Sequence, residues 1–167
     1  MIIMKSTEIP FLIFQSFFDR SIRIQLNWEK LKNEKVTVRM SVFDQLENPS
    51  AWYLPWYFND LKEDVGYSVA NANPLTLADI PKAISHLKSN RRDKIQELLN
   101  RFINTTQQPI QLVIATYALP NGKHLIMDGN HRSSALILAG VKAKLMVFEI
   151  CGPIDEELIP DLCHWKK

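Results

Sequence analysis

The chain has 167 residues, enough for one domain with a sizeable core and too few for two full domains. Its composition, 46% hydrophobic and 23% charged, is that of an ordinary globular protein and excludes a disordered or fibrous chain. The formal net charge is only +2, which disfavours a protein that holds a polynucleotide mainly by bulk charge.

The cysteine and hydropathy patterns indicate a reducing compartment and no membrane segment. Cys151 and Cys163 are too few for a disulfide framework, and no cysteine–histidine spacing matches a zinc motif. No apolar run reaches the ~20 residues that span a bilayer. Residues 1–18 are apolar, but Lys5 and Glu8 interrupt them and no small-residue cleavage site follows. We therefore expect a cytoplasmic protein without a membrane partner.

The first 45 residues carry the alternation that is typical of β-strands. Apolar side chains occupy every second position over residues 22–28 and again over residues 36–42. A charged connection, residues 29–35, separates the two segments. They could form a hairpin, and a one-turn helix inside the connection is equally allowed.

A dense block of aromatic residues follows. Asn48 and Pro49 predict a helix start, because Asn is a good cap and Pro is favoured in the first helical turn. Trp52 and Trp56 have the spacing that stacks side chains on one helical face, although Pro55 limits such a helix to a few turns. The block is either a packed aromatic subcore or a stacking platform for bases or for a partner. Its six members are Trp52, Tyr53, Trp56, Tyr57, Phe58 and Tyr67.

Regular helical patterns begin near residue 71. Asp79 predicts a helix cap, followed by helix to about residue 87, with His86 on its surface. Residues 91–103 form a clearer amphipathic helix, with apolar side chains at i, i+3, i+4 and i+7. Its outer face is basic, which is usual for a solvated face but would matter beside an anion site. The basic residues are Arg91, Arg92, Lys94 and Arg101.

A hairpin, a helix and a last strand are predicted next. Asn121 and Gly122 favour a tight hairpin turn, and Gly140 is the type of residue that ends a helix. The tail from residue 151 is expected to wrap the surface. The predicted elements are strands at 110–119, 124–127 and 143–150 and a helix at 131–139.

The residues with the clearest chemistry lie where the 124–127 strand meets this helix. Gly129 lets the backbone approach a ligand, and a helix start presents free N–H groups and a positive dipole end, which suits phosphate. Arg132 adds a fork of donors for phosphate oxygens. His131 can donate to a phosphate or accept a proton as a general base. Asp128 can hold a divalent ion or orient a nucleophile.

Three further polar residues belong to the same turn. Asn130 can cap the helix, and Ser133 and Ser134 can add hydroxyl groups toward a ligand. The same run of residues is also ordinary turn chemistry, in which Asp and Asn cap a helix and Arg pairs with a surface acid. The residues alone leave both interpretations open.

Glu149 lies late in the predicted strand of residues 143–150, where a carboxylate needs a partner. Arg132 or a metal ion could supply that partner, and a purely structural salt bridge is the other outcome.

Positions 129, 131 and 132 form a Gly-x-His-Arg motif. This motif resembles the phosphate-binding motif of the ParB/sulfiredoxin superfamily. Its context, an amphipathic helix followed by a strand and an Asn-Gly hairpin, is similar to that of the ParB N-terminal domain. The resemblance covers roughly residues 75–150, and the residues of the motif and its lead-in strand are Ile126, Met127, Asp128, Gly129, His131, Arg132 and Ala135.

The resemblance implies that the turn cradles nucleotide phosphates. Gly129, His131 and Arg132, with the backbone amides of residues 130–133, would inherit this role. Relatives with an Asp-Gly-x-His-Arg sequence include small kinases that act on free serine and proteins described as nucleases. Asp128 and His131 fit both groups as catalytic residues.

Two departures from the family pattern narrow what is expected. Sulfiredoxins carry their reactive cysteine between the glycine and the histidine, where this chain has Asn130, so sulfinic acid reduction is not expected. Chromosome-segregation ParB proteins have a Gly-Glu-Arg-Arg version together with helix-turn-helix and dimerisation domains, for which 167 residues leave no length. A complete segregation ParB is therefore excluded.

We expect an α+β, ParB/sulfiredoxin-like mixed sheet with packed helices. Residues 1–70 would be a β-rich elaboration and residues 71–167 the main domain with its tail, together one compact unit. The turn at 128–134 would bind a nucleotide triphosphate or diphosphate, or a phosphorylated small molecule, with Mg²⁺, for phosphoryl transfer or phosphodiester cleavage. The alternative is a non-catalytic DNA- or protein-binding module that uses the same turn and the aromatic block.

Overall fold

The computed structural model describes residues 3–166, which form an α+β structure. Eight strands build one mixed sheet, and helices pack on both of its faces. The strands are β1 Ile3–Ile9, β2 Thr37–Phe43, β3 Trp52–Phe58, β4 Asp64–Val65, β5 Asn73–Thr76, β6 Ile110–Leu119, β7 Lys123–Asp128 and β8 Ala143–Cys151. The helices are α1 Phe11–Phe18, α2 Trp28–Asn33, α3 Ile80–Ala83, α4 Ser89–Asn104 and α5 Asn130–Ala139.

The strand order across the sheet is β1-β2-β8-β6-β7-β3-β4, and β5 also pairs with β3. The β6–β8 and β3–β7 pairs are parallel, and the remaining pairs are antiparallel. Strands from the first 70 residues and from the rest of the chain therefore lie in the same sheet. This order places the end of β7, where the Gly-x-His-Arg motif begins, beside β3.

Each face of the sheet carries its own apolar core, as the alternation along β6 illustrates. Leu112 and Ile114 pack with side chains of α3, α4 and α5 in the first core. Ala115 and Tyr117 point the other way and pack with side chains of α1, α2 and the C-terminal tail in the second core. The motif helix α5 thus lies on the same face as α4.

The strand predicted for residues 22–28 is wrong. The chain there is irregular until α2 begins at Trp28, and Asn27 caps this helix by accepting a hydrogen bond from the Lys30 N–H (3.0 Å). The alternating apolar side chains are partly buried against the second core, so an extended loop without a partner strand produces the same pattern. Of the two arrangements that the sequence allowed, the hairpin is wrong, because β2 pairs with β1 and β8, and the short helix in the connection is confirmed as α2.

The helix predicted for the aromatic block is wrong as well. A 3₁₀ turn at Pro49–Ala51 leads directly into the extended strand β3. Aromatic side chains favour strands, and Pro55 cannot donate the hydrogen bond that a helix needs. Trp52 and Trp56 share a face through the strand period of two. The packed-subcore interpretation is confirmed for the four buried members Trp52, Trp56, Tyr57 and Phe58.

The elements predicted after residue 90 are confirmed. The amphipathic helix is α4, the hairpin is β6–β7, the motif helix is α5 and the last strand is β8. Gly140 ends α5 in the left-handed conformation with φ +62°. The helix expected after Asp79 is α3, which continues as a 3₁₀ turn at Ile84–His86. Asp79 does not cap this helix with its side chain. It is the N3 residue of a capping box in which Thr76 is the N-cap of the preceding 3₁₀ turn, Leu77–Asp79.

The C-terminal tail does not wrap the surface as predicted. Its side chains Leu158, Ile159 and Leu162 are fully buried in the second core. The tail is also tied to α2, because the Leu158 carbonyl accepts from the Asn27 N–H (2.9 Å) and Asp155 pairs with Lys30 (3.0 Å). Apolar burial outweighs the loop-like composition of this segment. Across residues 3–166, no helix has the length and apolar character needed to cross a membrane.

Candidate functional site

The Asp128–Asn130 turn is tight, and only glycine fits its centre. Gly129 has φ +97° and is buried between β7 and α5. A Cβ atom there would lie 2.5 Å from Cγ2 of Ile114 on β6, far inside contact distance. The glycine therefore lets the chain turn directly from the end of β7 into the helix, against the neighbouring strand.

The start of α5 presents unpaired backbone donors. The first intrahelical hydrogen bond runs from the Ser133 N–H to the Gly129 carbonyl (2.8 Å). The N–H groups of residues 130–132 consequently have no partner within the helix, whereas the Ser133 amide expected to join them is already bonded. Together with the positive end of the helix dipole, these donors favour an anion.

Arg132 lies over this turn and is only weakly held. Its Nη2 is 3.4 Å from Oδ2 of Asp128, at the long end of a hydrogen bond, and its side chain is 36% exposed. A Cβ atom built at Gly129 would be 3.5 Å from the same Nη2, which places the guanidinium directly above the glycine. An anion at the helix start would therefore meet the guanidinium with little rearrangement.

Two buried polar atoms at this helix start lack a partner. Across the described residues, the Ser133 hydroxyl and the Asn130 Oδ1 are the buried side-chain atoms without a hydrogen bond. Leaving such a group unsatisfied costs about 1–3 kcal/mol, which a ligand or water would recover. Ser134 differs, because its hydroxyl donates to the Asn130 carbonyl (2.7 Å) and is used within the helix.

His131 lies in an apolar and positively charged environment. Its ring centroid is 5.2 Å from that of Trp56. Burial lowers the pKa of His131 below its usual value of 6.5, and the positive charges of Arg91 and Lys94 lower it further. A neutral imidazole at pH 7 can accept a proton, which is the property that a general base needs.

The structure adds residues that the sequence did not indicate. The guanidinium of Arg91 lies 5.2 Å from the centre of the Trp56 ring, the same ring that contacts His131. Asp64, whose side chain is 3% exposed, holds Arg91 by an ion pair at 2.5 Å. These residues are far from the motif along the chain, and the only signals for them were the basic face of α4 and the aromatic block.

Two carboxylates offset half of the four positive charges on the basic face of α4. Besides the Arg91–Asp64 pair, Glu97 pairs with Lys94 (3.5 Å) and with Arg101 (2.6 Å). Four buried aromatic side chains of the block are also unavailable for base stacking. Both features that suggested a polynucleotide surface are therefore weakened.

Glu149 does not pair with Arg132. Its Oε2 accepts hydrogen bonds from Nδ1 of His124 and from the Thr116 hydroxyl (2.9 Å). The end of β8 and the beginning of β7 lie at the same edge of the sheet on either side of β6, because β8 is parallel to β6 and β6 is antiparallel to β7. The Glu149–His124 pair is thus at the opposite end of β7 from Asp128.

A dedicated metal cage is absent from the described part of the chain, where no three His, Cys, Asp or Glu side chains cluster with suitable geometry. Asp128 alone offers one carboxylate at the turn. Mg²⁺ commonly takes one or two carboxylates and completes its shell with water and substrate phosphates, so this donor set fits an ion that arrives with a nucleotide.

Comparisons of this chain with protein-family models, with curated proteins and with solved structures found no match.

Proposed function

We propose that residues 128–134 bind the phosphates of a nucleotide, or of a phosphorylated small molecule, in a ParB/sulfiredoxin-like domain. The observation that carries the proposal is the start of α5. Its first turn contains free backbone amides, a loosely held arginine and two unpartnered buried polar atoms. The strand–hairpin–helix–strand order from β6 to β8 supports the likeness to that superfamily.

We propose phosphoryl transfer as the chemistry of this site. Phosphoryl transfer is catalysed mainly by positioning and charge stabilisation. The amides of residues 130–132 and the Arg132 guanidinium would hold phosphate oxygens. Neutral His131 would accept the proton of the attacking hydroxyl, and Asp128 would ligate Mg²⁺, which neutralises phosphate charge when bound. Phosphodiester cleavage uses the same groups, but the partial neutralisation of the α4 face and the net charge of only +2 favour a mononucleotide over a polynucleotide.

The first experiment is a thermal-shift panel with ATP, ADP, CTP, GTP and a short DNA duplex, each with and without Mg²⁺. A ligand at 100 times its Kd adds about 2.7 kcal/mol of stability, which is easily detected. We expect a selective rise with one nucleotide. A rise with DNA alone that falls steeply with salt would favour a polynucleotide-binding module instead, because counterions are released on such binding.

Arg132→Ala is the variant that tests the site. Removing one charge-assisted phosphate contact costs about 1.5–3 kcal/mol, so we expect nucleotide affinity to fall by about 10- to 100-fold. The melting temperature of the ligand-free protein should stay close to that of the parent, because the side chain makes one weak contact. Arg92→Ala removes an equal charge from the exposed face of α4 and serves as the control. Equal affinities for parent and Arg132→Ala would show that the site is assigned wrongly.

A further inference from the structure

A polar cavity that is separate from the proposed phosphate turn lies between several segments of the chain. Its volume is about 290 Å³, near the lower end of the range for small-molecule sites. The walls come from separate parts of the chain: the loop before α2, strand β3, the segment after β4, the start of α4 and the tail. Its main polar side chains are Arg23, Gln25, Tyr67, Lys88, Arg91 and Asp161.

The cavity is positively charged. In the part of the chain that the structure describes, neither the Arg23 nor the Lys88 side chain has an acidic partner. Arg91 is the third cation, and Asp64 balances it. Helix α4 begins directly after Lys88, where the Asp64 carboxylate also accepts from the Lys88 backbone N–H (2.9 Å), so the net positive charge of the cavity comes from Arg23 and Lys88.

The far wall of the cavity is fixed by buried hydrogen bonds. The Tyr57 hydroxyl donates to Oδ2 of Asp161 at 2.5 Å, and both residues are buried. His164 stacks on Tyr57 at 4.7 Å, and its Nε2–H donates to the Tyr67 carbonyl (2.8 Å). Burial raises the pKa of Asp161 above its usual range, while the hydrogen bond from Tyr57 works against that rise. The wall is therefore held rigid, and Asp161 is the acidic residue of the cavity lining.

We propose that this cavity binds a small molecule that carries a carboxylate or a phosphate group, held by Arg23 and Lys88. The free guanidinium offers two parallel donors to such a group, and the ammonium adds a second charge. The cavity adjoins the phosphate turn through Arg91, which lines it and contacts the Trp56 ring that His131 also contacts. The binding itself is independent of what the turn binds, because Arg23 and Lys88 are not part of the turn.

The test is a ¹H–¹⁵N NMR titration of the full chain with succinate in one arm and inorganic phosphate in the other. We expect saturable shifts of the amide signals of Gln25, Gly66 and Tyr67 in at least one arm. The arm with the lower Kd identifies the group as carboxylate or phosphate. In Arg23→Ala/Lys88→Ala the Kd should rise at least tenfold, and the single variants Arg23→Gln and Lys88→Gln should show smaller rises if the double variant folds poorly.

Two controls separate this site from general surface charge and from the turn. Arg20→Ala removes an exposed arginine that does not line the cavity and should leave the Kd unchanged. Arg132→Ala should also leave the cavity shifts unchanged while weakening nucleotide binding, so the two proposals can fail separately. The absence of saturable shifts in both arms, or an equal rise in Kd in Arg20→Ala and Arg23→Gln, would overturn the proposal.

Discussion

His131 is the residue whose environment most directly affects the proposed chemistry. Burial and the charges of Arg91 and Lys94 all disfavour its protonated form. Because the pKa in the folded chain lies below the unfolded value of 6.5, the neutral imidazole contributes its full stability above pH 6.5. That contribution is lost as the pH falls through the unfolded value toward the folded one.

We predict that Lys94→Gln raises the pKa of His131, because one nearby positive charge is removed. The pKa can be followed by NMR titration of the imidazole C–H signals, with His131→Asn used to assign the signal. Lys82→Gln, on the exposed side of α3, is the matched control and should cause no change. Bound phosphate should raise the pKa further, since an anion favours imidazolium. A pKa above 6.5 in the ligand-free parent would contradict the described environment.

The sequence predicted the candidate residues that are adjacent along the chain and missed the contacts between residues that are far apart in sequence. Gly129 and Arg132 were identified because a strand end, a glycine and a helix start are adjacent along the chain. Arg91 was noted only as one member of a basic face, since its contacts with Trp56 and Asp64 depend on how α4 packs beside β3 and β4. The partner of Glu149 was missed for the same reason, because strand pairing brings His124 to it.

The connection between β7 and α5 requires a glycine at position 129, and Gly129→Ala tests this requirement. An L-residue in the left-handed region costs about 1–2 kcal/mol, and the clash with Ile114 adds about 1–3 kcal/mol of overpacking. Gly140→Ala is a matched control, because Gly140 also has positive φ but has open space around it, so only the first cost applies. Chemical denaturation of both variants should therefore show a larger loss for Gly129→Ala. Equal losses of unfolding free energy in the two variants would mean that Ile114 of β6 does not restrict the space at position 129.

A helix or strand was predicted correctly where its sequence pattern fits only one type of element. The ten residues of β6 and the amphipathic face of α4 have patterns that fit one type of element, and both were predicted. The aromatic spacing in β3 fits a helix and a strand equally, because Trp52, Leu54 and Trp56 satisfy a period of two as well as i,i+4. Strand β3 is fixed by its neighbours β5 and β7, which single-sequence periodicity does not report.

The whole molecule is held together by elements from both ends of the chain. The second core combines Phe14 of α1 and Leu31 of α2 with Leu158 and Leu162 of the tail. The first core lies under α4 and α5, where the proposed phosphate turn is placed. Since both cores share one sheet, a substitution that destabilises the tail should also destabilise the part of the fold that supports the turn, although the tail is far from the turn along the chain.

Leu162→Ala tests how much the tail contributes to the stability of the whole fold. Leu162 is fully buried, and truncating a buried leucine costs about 2–5 kcal/mol through lost apolar burial and the cavity left behind. Leu61→Ala, at a side chain that is 79% exposed, should stay within about 0.5 kcal/mol of the parent. Urea denaturation followed by near- and far-ultraviolet circular dichroism should show one shared transition, shifted only in Leu162→Ala, because the two cores unfold together. A loss below about 1 kcal/mol, or two separated transitions, would mean that the tail and its core are not integral to the domain.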